Sequence, residues 1–182
     1  MTEQVTTTVV CGIDDSPGAR AALEEAVRFA ARSGARVRAL LVYAPPEMHG
    51  AWGYGPTGAI PVPRLEIIHQ GERQAAREIV EPVLDRLRGE LGTIPEVDVD
   101  AVPGWPVEAL VEAAEGAAAL VVGHRGVGVI GSVMMGSTSL GCVLHARCPV
   151  TVVPTPTPAS VAGSTHDADA ERATPLPVGP VA

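Results

Sequence analysis

The chain has 182 residues, of which 46% are apolar but only 3% aromatic, enough for one domain whose core is built from Ala, Val, Leu and Ile. All 13 basic residues are arginine, and the formal net charge is −8. The lack of lysine excludes a Schiff-base or pyridoxal-phosphate lysine and a P-loop lysine. The acidic balance, with no basic stripe, speaks against nucleic acid or an anionic membrane as partner.

The segment Met1–Thr8 is polar and reads as neither a signal peptide nor an anchor, and no apolar run approaches the length of a membrane span. Cys11, Cys142 and Cys148 form no Cys-x-x-Cys pair and no zinc spacing. An odd cysteine count without a leader leads us to expect a reducing, cytoplasmic setting. The expected organisation is an extension over 1–7, a domain over 8–154 and a tail over 155–182.

Thr8-Val9-Val10-Cys11-Gly12-Ile13 has the pattern of a short buried strand. It ends at Asp14-Asp15-Ser16-Pro17, where Ser16 or Asp15 can cap a helix and Pro17 suits its first position. That helix, predicted over 18–33, gathers Leu23, Ala26, Val27, Ala30 and Ala31 on one face and stops at Gly34. Residues 37–42 form the second predicted strand. Residues 44–63 carry prolines, glycines, Trp52 and Tyr54 without periodicity, a loop long enough to be a lid or a partner surface.

A long helix is predicted over 64–91. Its apolar stripe comprises Leu65, Ile68, Ala76, Ile79, Val83, Leu84, Leu87 and Leu91, and Pro82 within it is expected to kink or divide it. Residues 97–102 alternate as a third strand. Gly104-Trp105-Pro106 opens a short helix bearing Leu110, Val111, Ala113 and Ala114. Residues 118–122 give a fourth strand, 137–145 a last helix and 150–153 a fifth strand. Strands alternating with helices imply a mostly parallel sheet covered on both faces. From Thr155 onward no apolar period survives, and the tail is expected to be disordered.

The stretch from Leu120 to Ser139 is the most informative. An apolar strand ends at Gly123, a glycine-rich loop with Arg125 as its only cation follows, and Gly136-Ser137-Thr138-Ser139 opens a helix. Glycines let the backbone approach a phosphate, and the free amides of a helix's first turn point at it. Each part has a plain alternative: Gly123 and Gly126 can serve a surface turn, and Gly136–Ser139 can be no more than a cap. Arg125 either clamps a phosphate through its planar fork or points to solvent.

The spacing of Gly123, two residues, Gly126, nine residues and Gly136-Ser137 resembles the nucleotide-binding signature of the universal stress protein family. The likeness extends over the predicted domain, 7–154. The first strand and its Gly12-Ile13-Asp14-Asp15-Ser16 turn resemble the family's opening, Gly104-x-Pro106 its third-strand exit, and His145-Ala146-Arg147-Cys148-Pro149-Val150 the approach to its final strand. There are departures: Ala119 stands where the family usually carries an aspartate, and the 44–63 loop and the tail are additions.

This resemblance implies a flavodoxin-like (Rossmann-like) doubly wound sheet of five parallel strands in the order 3-2-1-4-5, helices on both faces. It places Gly12, Asp14 and Val42 at the adenosine part of ATP. Val122, Gly123, Arg125, Gly126, Gly136, Ser137, Thr138 and Ser139 surround the rest, with the hydroxyls of Ser137 and Ser139 on the triphosphate. Asp14 has a second reading as a mere helix cap, and Val42 as mere core. No His/Asp/Glu cluster has metal-ligand spacing, so Mg²⁺ would arrive through the phosphates. No residue announces itself as a base or nucleophile. The expectation is therefore an ATP-binding regulator or sensor in the stress response, homodimeric through the 150–153 strand, with the 44–63 loop as a further protein contact. The alternative is a slow ATPase or nucleotide-processing enzyme using the same pocket.

Overall fold

The computed structural model describes residues 7–44, 65–124 and 135–155. Five strands and four helices alternate: β1 (Thr8–Ile13), α1 (Pro17–Ser33), β2 (Arg36–Tyr43), α2 (Leu65–Leu91), β3 (Val97–Pro103), α3 (Pro106–Ala113), β4 (Ala119–Gly123), α4 (Ser137–His145) and β5 (Val150–Val153). All strand pairs are parallel, and the sheet order is β3-β2-β1-β4-β5. The flavodoxin-like order is thus as expected. The 45–63 part of the expected loop and the tail beyond 155 lie outside the described residues.

Because side chains alternate across a strand, each strand feeds two cores. Val9, Cys11 and Ile13 of β1 pack with Val37 and Ala39 under Leu23, Val27, Val80 and Leu87 of α1 and α2. Val10, Leu40, Leu120 and Val122 face the other way, onto Leu110 and Ala114 with Cys142 of α4. A strand buried on both sides must be apolar at nearly every position, which explains the unbroken runs in β1 and β4.

Helix α1 is built as its sequence suggests. Ser16 is the N-cap, its hydroxyl accepting from the Ala19 amide at 3.1 Å, and Pro17 follows. Gly34 ends the helix in the left-handed conformation at φ 69°. Ala31, expected on the buried face, is exposed; Ala22 takes its place in the core.

Two expectations for α2 need correction. Of the kink or division expected at Pro82, the division does not occur, since the helix runs unbroken over 27 residues. The proline is exposed, so the hydrogen bond it removes lies on the solvent side while Val80, Val83 and Leu84 stay buried. Leu65 and Leu91, expected in the apolar stripe, are 58% and 40% exposed. A helix of this length spans about 40 Å, whereas an eight-residue strand spans about 27 Å. The two ends therefore overhang the sheet.

Candidate nucleotide site

The first and fourth strands lie side by side, with Val9, Val10 and Cys11 in register with Ala119, Leu120 and Val121. From β1 the chain leaves into α1 on one face, while β4 leads toward α4 on the other. Such a switch point opens a crevice beyond the carboxyl ends of the strands. Here it is a cavity of about 300 Å³, at the small end of the ~300–1,000 Å³ range of ligand pockets.

Four of the segments that meet at this cavity carry residues expected in the site. Gly12 and Asp14 come from the end of β1, Val42 from the end of β2, and Val122 with Gly123 from the end of β4. The fourth wall is Gly136-Ser137-Thr138-Ser139 at the start of α4. Arg125 and Gly126, the remaining candidates, lie outside the described residues. The sequence reading missed Ile13, Ala19, Pro106 and Leu110, which also line the cavity. For Pro106 and Leu110 a signal was available, because Gly104-x-Pro106-x-x-x-Leu110 already stood out as a segment of family likeness.

Asp14 is not the helix cap; that role belongs to Ser16. Its Oδ1 instead accepts from the Ser16 amide at 3.0 Å, an Asx turn that orients the carboxylate at the cavity's edge. Gly123 is needed for a close approach. A Cβ there would stand 2.6 Å from the carbonyl carbon of Gly18 and 2.8 Å from its oxygen. Both are backbone atoms of the first turn of α1, so the end of β4 and the start of α1 are locked together.

The N-cap of α4 is Gly136, which has no side chain to satisfy the first amides. The first bond of the helix runs from the Leu140 amide to the Gly136 carbonyl at 2.9 Å. The amides of Ser137, Thr138 and Ser139 precede it and therefore have no partner within the helix. They make the wall at this end of the cavity electropositive. The base of the glycine loop is closed by the Gly136 amide donating to the His124 carbonyl at 2.9 Å, and His124 in turn donates its amide to Val153 at 2.6 Å.

Ser139 has a side-chain partner on β4. It is 3% exposed, and its hydroxyl donates to the Gly123 carbonyl at 2.5 Å. The hydroxyl expected on a phosphate thus reaches the end of β4, while the Ser139 amide has no partner within the helix. The nearby thiols are not acidic. Burial pushes Cys11 up to about 12, and burial, with a smaller contribution from nearby Cys148, pushes Cys142 up to about 11. Among the described residues no group of three His, Cys, Asp or Glu side chains is placed to hold a metal ion. No helix among them is long and apolar enough to cross a membrane.

This arrangement can accept hydroxyls at Asp14 and donate to an anion at α4, with an apolar floor between. Its relatives are consistent with the motifs. A universal stress protein of Mycolicibacterium smegmatis is 31% identical over 147 residues, covering 80% of this chain and 47% of that protein. The chain spans about half the length of the curated relatives it matches. Among solved structures, a universal stress protein in complex with cAMP aligns with a TM-score of 0.58 at 24% identity, over 82% of this chain and 98% of that one. A universal stress protein family member from Arabidopsis thaliana with AMP bound aligns with a TM-score of 0.50 at 20% identity, over 82% and 92%. The family model described as the universal stress protein family matches residues 6–154. The chain belongs to the universal stress protein family.

Proposed function

We propose that the crevice between β1 and β4 binds an adenine nucleotide, and that the ligand is ATP, with Mg²⁺ carried on its phosphates. The observation that carries this reading is the convergence of Asp14 and the amide end of α4 on one cavity. The two ends have opposite preferences. A carboxylate accepts hydrogen bonds from hydroxyl groups and repels phosphate, whereas unpartnered helix amides attract it. The nucleoside therefore lies toward Asp14, Gly12 and Val42, and the phosphates toward Gly136, Ser137 and Thr138. Binding of cAMP and AMP by the two structural neighbours supports the adenine assignment.

In this reading the protein is a cytoplasmic regulator or sensor whose state depends on nucleotide occupancy. It works as a homodimer through Val150–Val153. The strand sits at the edge of the sheet, and Val143 and Leu144 of adjoining α4 are 46% and 67% exposed. An edge strand beside exposed apolar side chains favours pairing with a second copy. Purified protein is denatured and the released small molecules are identified by mass spectrometry, while a parallel sample is incubated with ATP. Release of intact adenine nucleotide, with no phosphate accumulating, is the expected result. Steady phosphate release would make the protein an ATPase, and the absence of any nucleotide together with no ATP binding would overturn the reading.

A further inference from the structure

Two walls of the crevice are carried by helices that touch each other. Gly141 lies on α4, just over a turn after Gly136, and faces Val107 of α3. A Cβ on Gly141 would stand 2.6 Å from Val107 Cγ2 and 2.9 Å from Cγ1. Carbon atoms in contact sit about 3.5–4.0 Å apart, so a side chain at 141 must displace the stiff, β-branched Val107 side chain, or the helix that carries it, by about 1 Å.

The opposite side of α3 packs closely on the sheet through Leu110. A Cβ on Gly12 would lie 2.9 Å from Leu110 Cδ1, so the Leu110 side chain of α3 fills the space over the glycine of β1. On its other flank α4 is tied by Ser139 to Gly123 and by the Gly136 amide to His124. Val107 stands between Pro106 and Leu110, both of which line the crevice. A change at the Gly141–Val107 contact that moves α3 or α4 therefore alters the distance between that apolar wall and the amide end of α4.

Glycine inside a helix costs about 1 kcal/mol relative to alanine. Gly89 of α2 has nothing within 4 Å of a built Cβ, and there alanine meets no obstacle. At Gly141 the same cost is borne in exchange for the close approach of α3.

We propose that Gly141, outside the lining of the crevice, is the positioning residue that sets the span between the Pro106–Leu110 wall and the phosphate-binding end of α4. It thereby fits the crevice to a nucleoside together with its phosphates. This inference rests on the adenine-nucleotide reading above.

Calorimetric titrations with ATP and with adenosine test it on the wild type, Gly141→Ala, Gly141→Ala/Val107→Ala and Gly89→Ala, with the fold of each checked by circular dichroism. Gly141→Ala weakens ATP by about tenfold or more but adenosine by less than about threefold. The added Val107→Ala, which removes the opposing methyls, restores ATP to within about threefold of wild type. Gly89→Ala binds as wild type does. Should Gly141→Ala fail to fold, Val107→Ile presses on the same contact from α3 and weakens ATP in the same direction.

Unchanged ATP affinity in Gly141→Ala or, if that variant does not fold, in Val107→Ile overturns the proposal. So does a loss that Val107→Ala does not restore. A wild type that binds neither ligand overturns the nucleotide reading and the positioning claim with it. A wild type that binds ATP beside an equally competent Gly141→Ala removes only the positioning claim.

Discussion

The hydroxyl of Ser139 donates a 2.5 Å hydrogen bond to the carbonyl oxygen of Gly123, joining the first turn of α4 to the last residue of β4. The two residues are sixteen apart in sequence, and the glycine loop lies between them. Because Gly123 is itself locked against Gly18, this one bond orients the amides of α4 relative to both α1 and the sheet.

Ser139→Ala leaves the Gly123 carbonyl without its donor, a loss of about 1–3 kcal/mol. Urea unfolding of nucleotide-free protein reads this directly. A drop in ligand-free stability is the expected outcome. Unchanged stability with weakened ATP binding would mean that the hydroxyl serves the ligand instead.

Asp14→Asn keeps an oxygen to accept the Ser16 amide and removes the charge. Folding stability should stay within about 0.5 kcal/mol of wild type. Losing a hydrogen bond to a charged group is worth about 1.5 kcal/mol or more, or roughly tenfold in affinity. Since the carboxylate is assigned to the nucleoside end, ATP and adenosine should weaken by a similar factor in calorimetry. A loss confined to ATP would contradict the orientation.

Stability should fall in alkaline solution through Cys11. Its pKa is raised from 9.0 to about 12 by burial, so the native state keeps a proton that the unfolded chain gives up. The stabilisation is fully present below pH 9 and is lost as the pH climbs toward 12, by up to about 1.4 kcal/mol per unit. Cys142 acts in the same direction, with its pKa raised to about 11. Urea unfolding at about pH 8 and about pH 10.5 should show a steeper fall for wild type than for Cys11→Ala. Equal falls would remove Cys11 as the cause.

The dimer proposal predicts a two-protomer species in sedimentation at micromolar concentration. Leu144→Glu places a charge on the 67% exposed apolar face of α4 beside β5 and should weaken dimerisation at least about tenfold. The cavity proposed for the nucleotide is lined by other residues, so the ATP affinity of the dissociated variant tests whether the two proposed functions are separable. A wild type that sediments only as monomer contradicts the proposal.

Much of this fold is legible in the residues. The runs at Val9–Ile13 and Leu120–Val122 read as strands because both faces of the sheet are covered, and Ser16-Pro17 and Gly34 mark the ends of α1 by local chemistry alone. The strand order came from the family likeness, since alternation of strands and helices leaves several parallel orders open. The fate of Pro82 could not be read, because it depends on which side of α2 faces solvent. Nor could the exposure of Leu65 and Leu91, which depends on how far the helix overhangs the sheet. In the site, glycine spacing reported where the backbone had to come close. It did not report that Gly123 meets Gly18, that Ser139 spends its hydrogen on β4, or that Leu110 supplies the floor. Those are contacts between segments distant in sequence, and only packing reveals them.

The most direct test of the nucleotide account is calorimetric titration of ATP into protein stripped of bound ligand. Saturable binding at one site per chain is predicted, weakened when Asp14 is replaced by Asn. No heat of binding at millimolar ATP, in a protein shown to be folded, would contradict it.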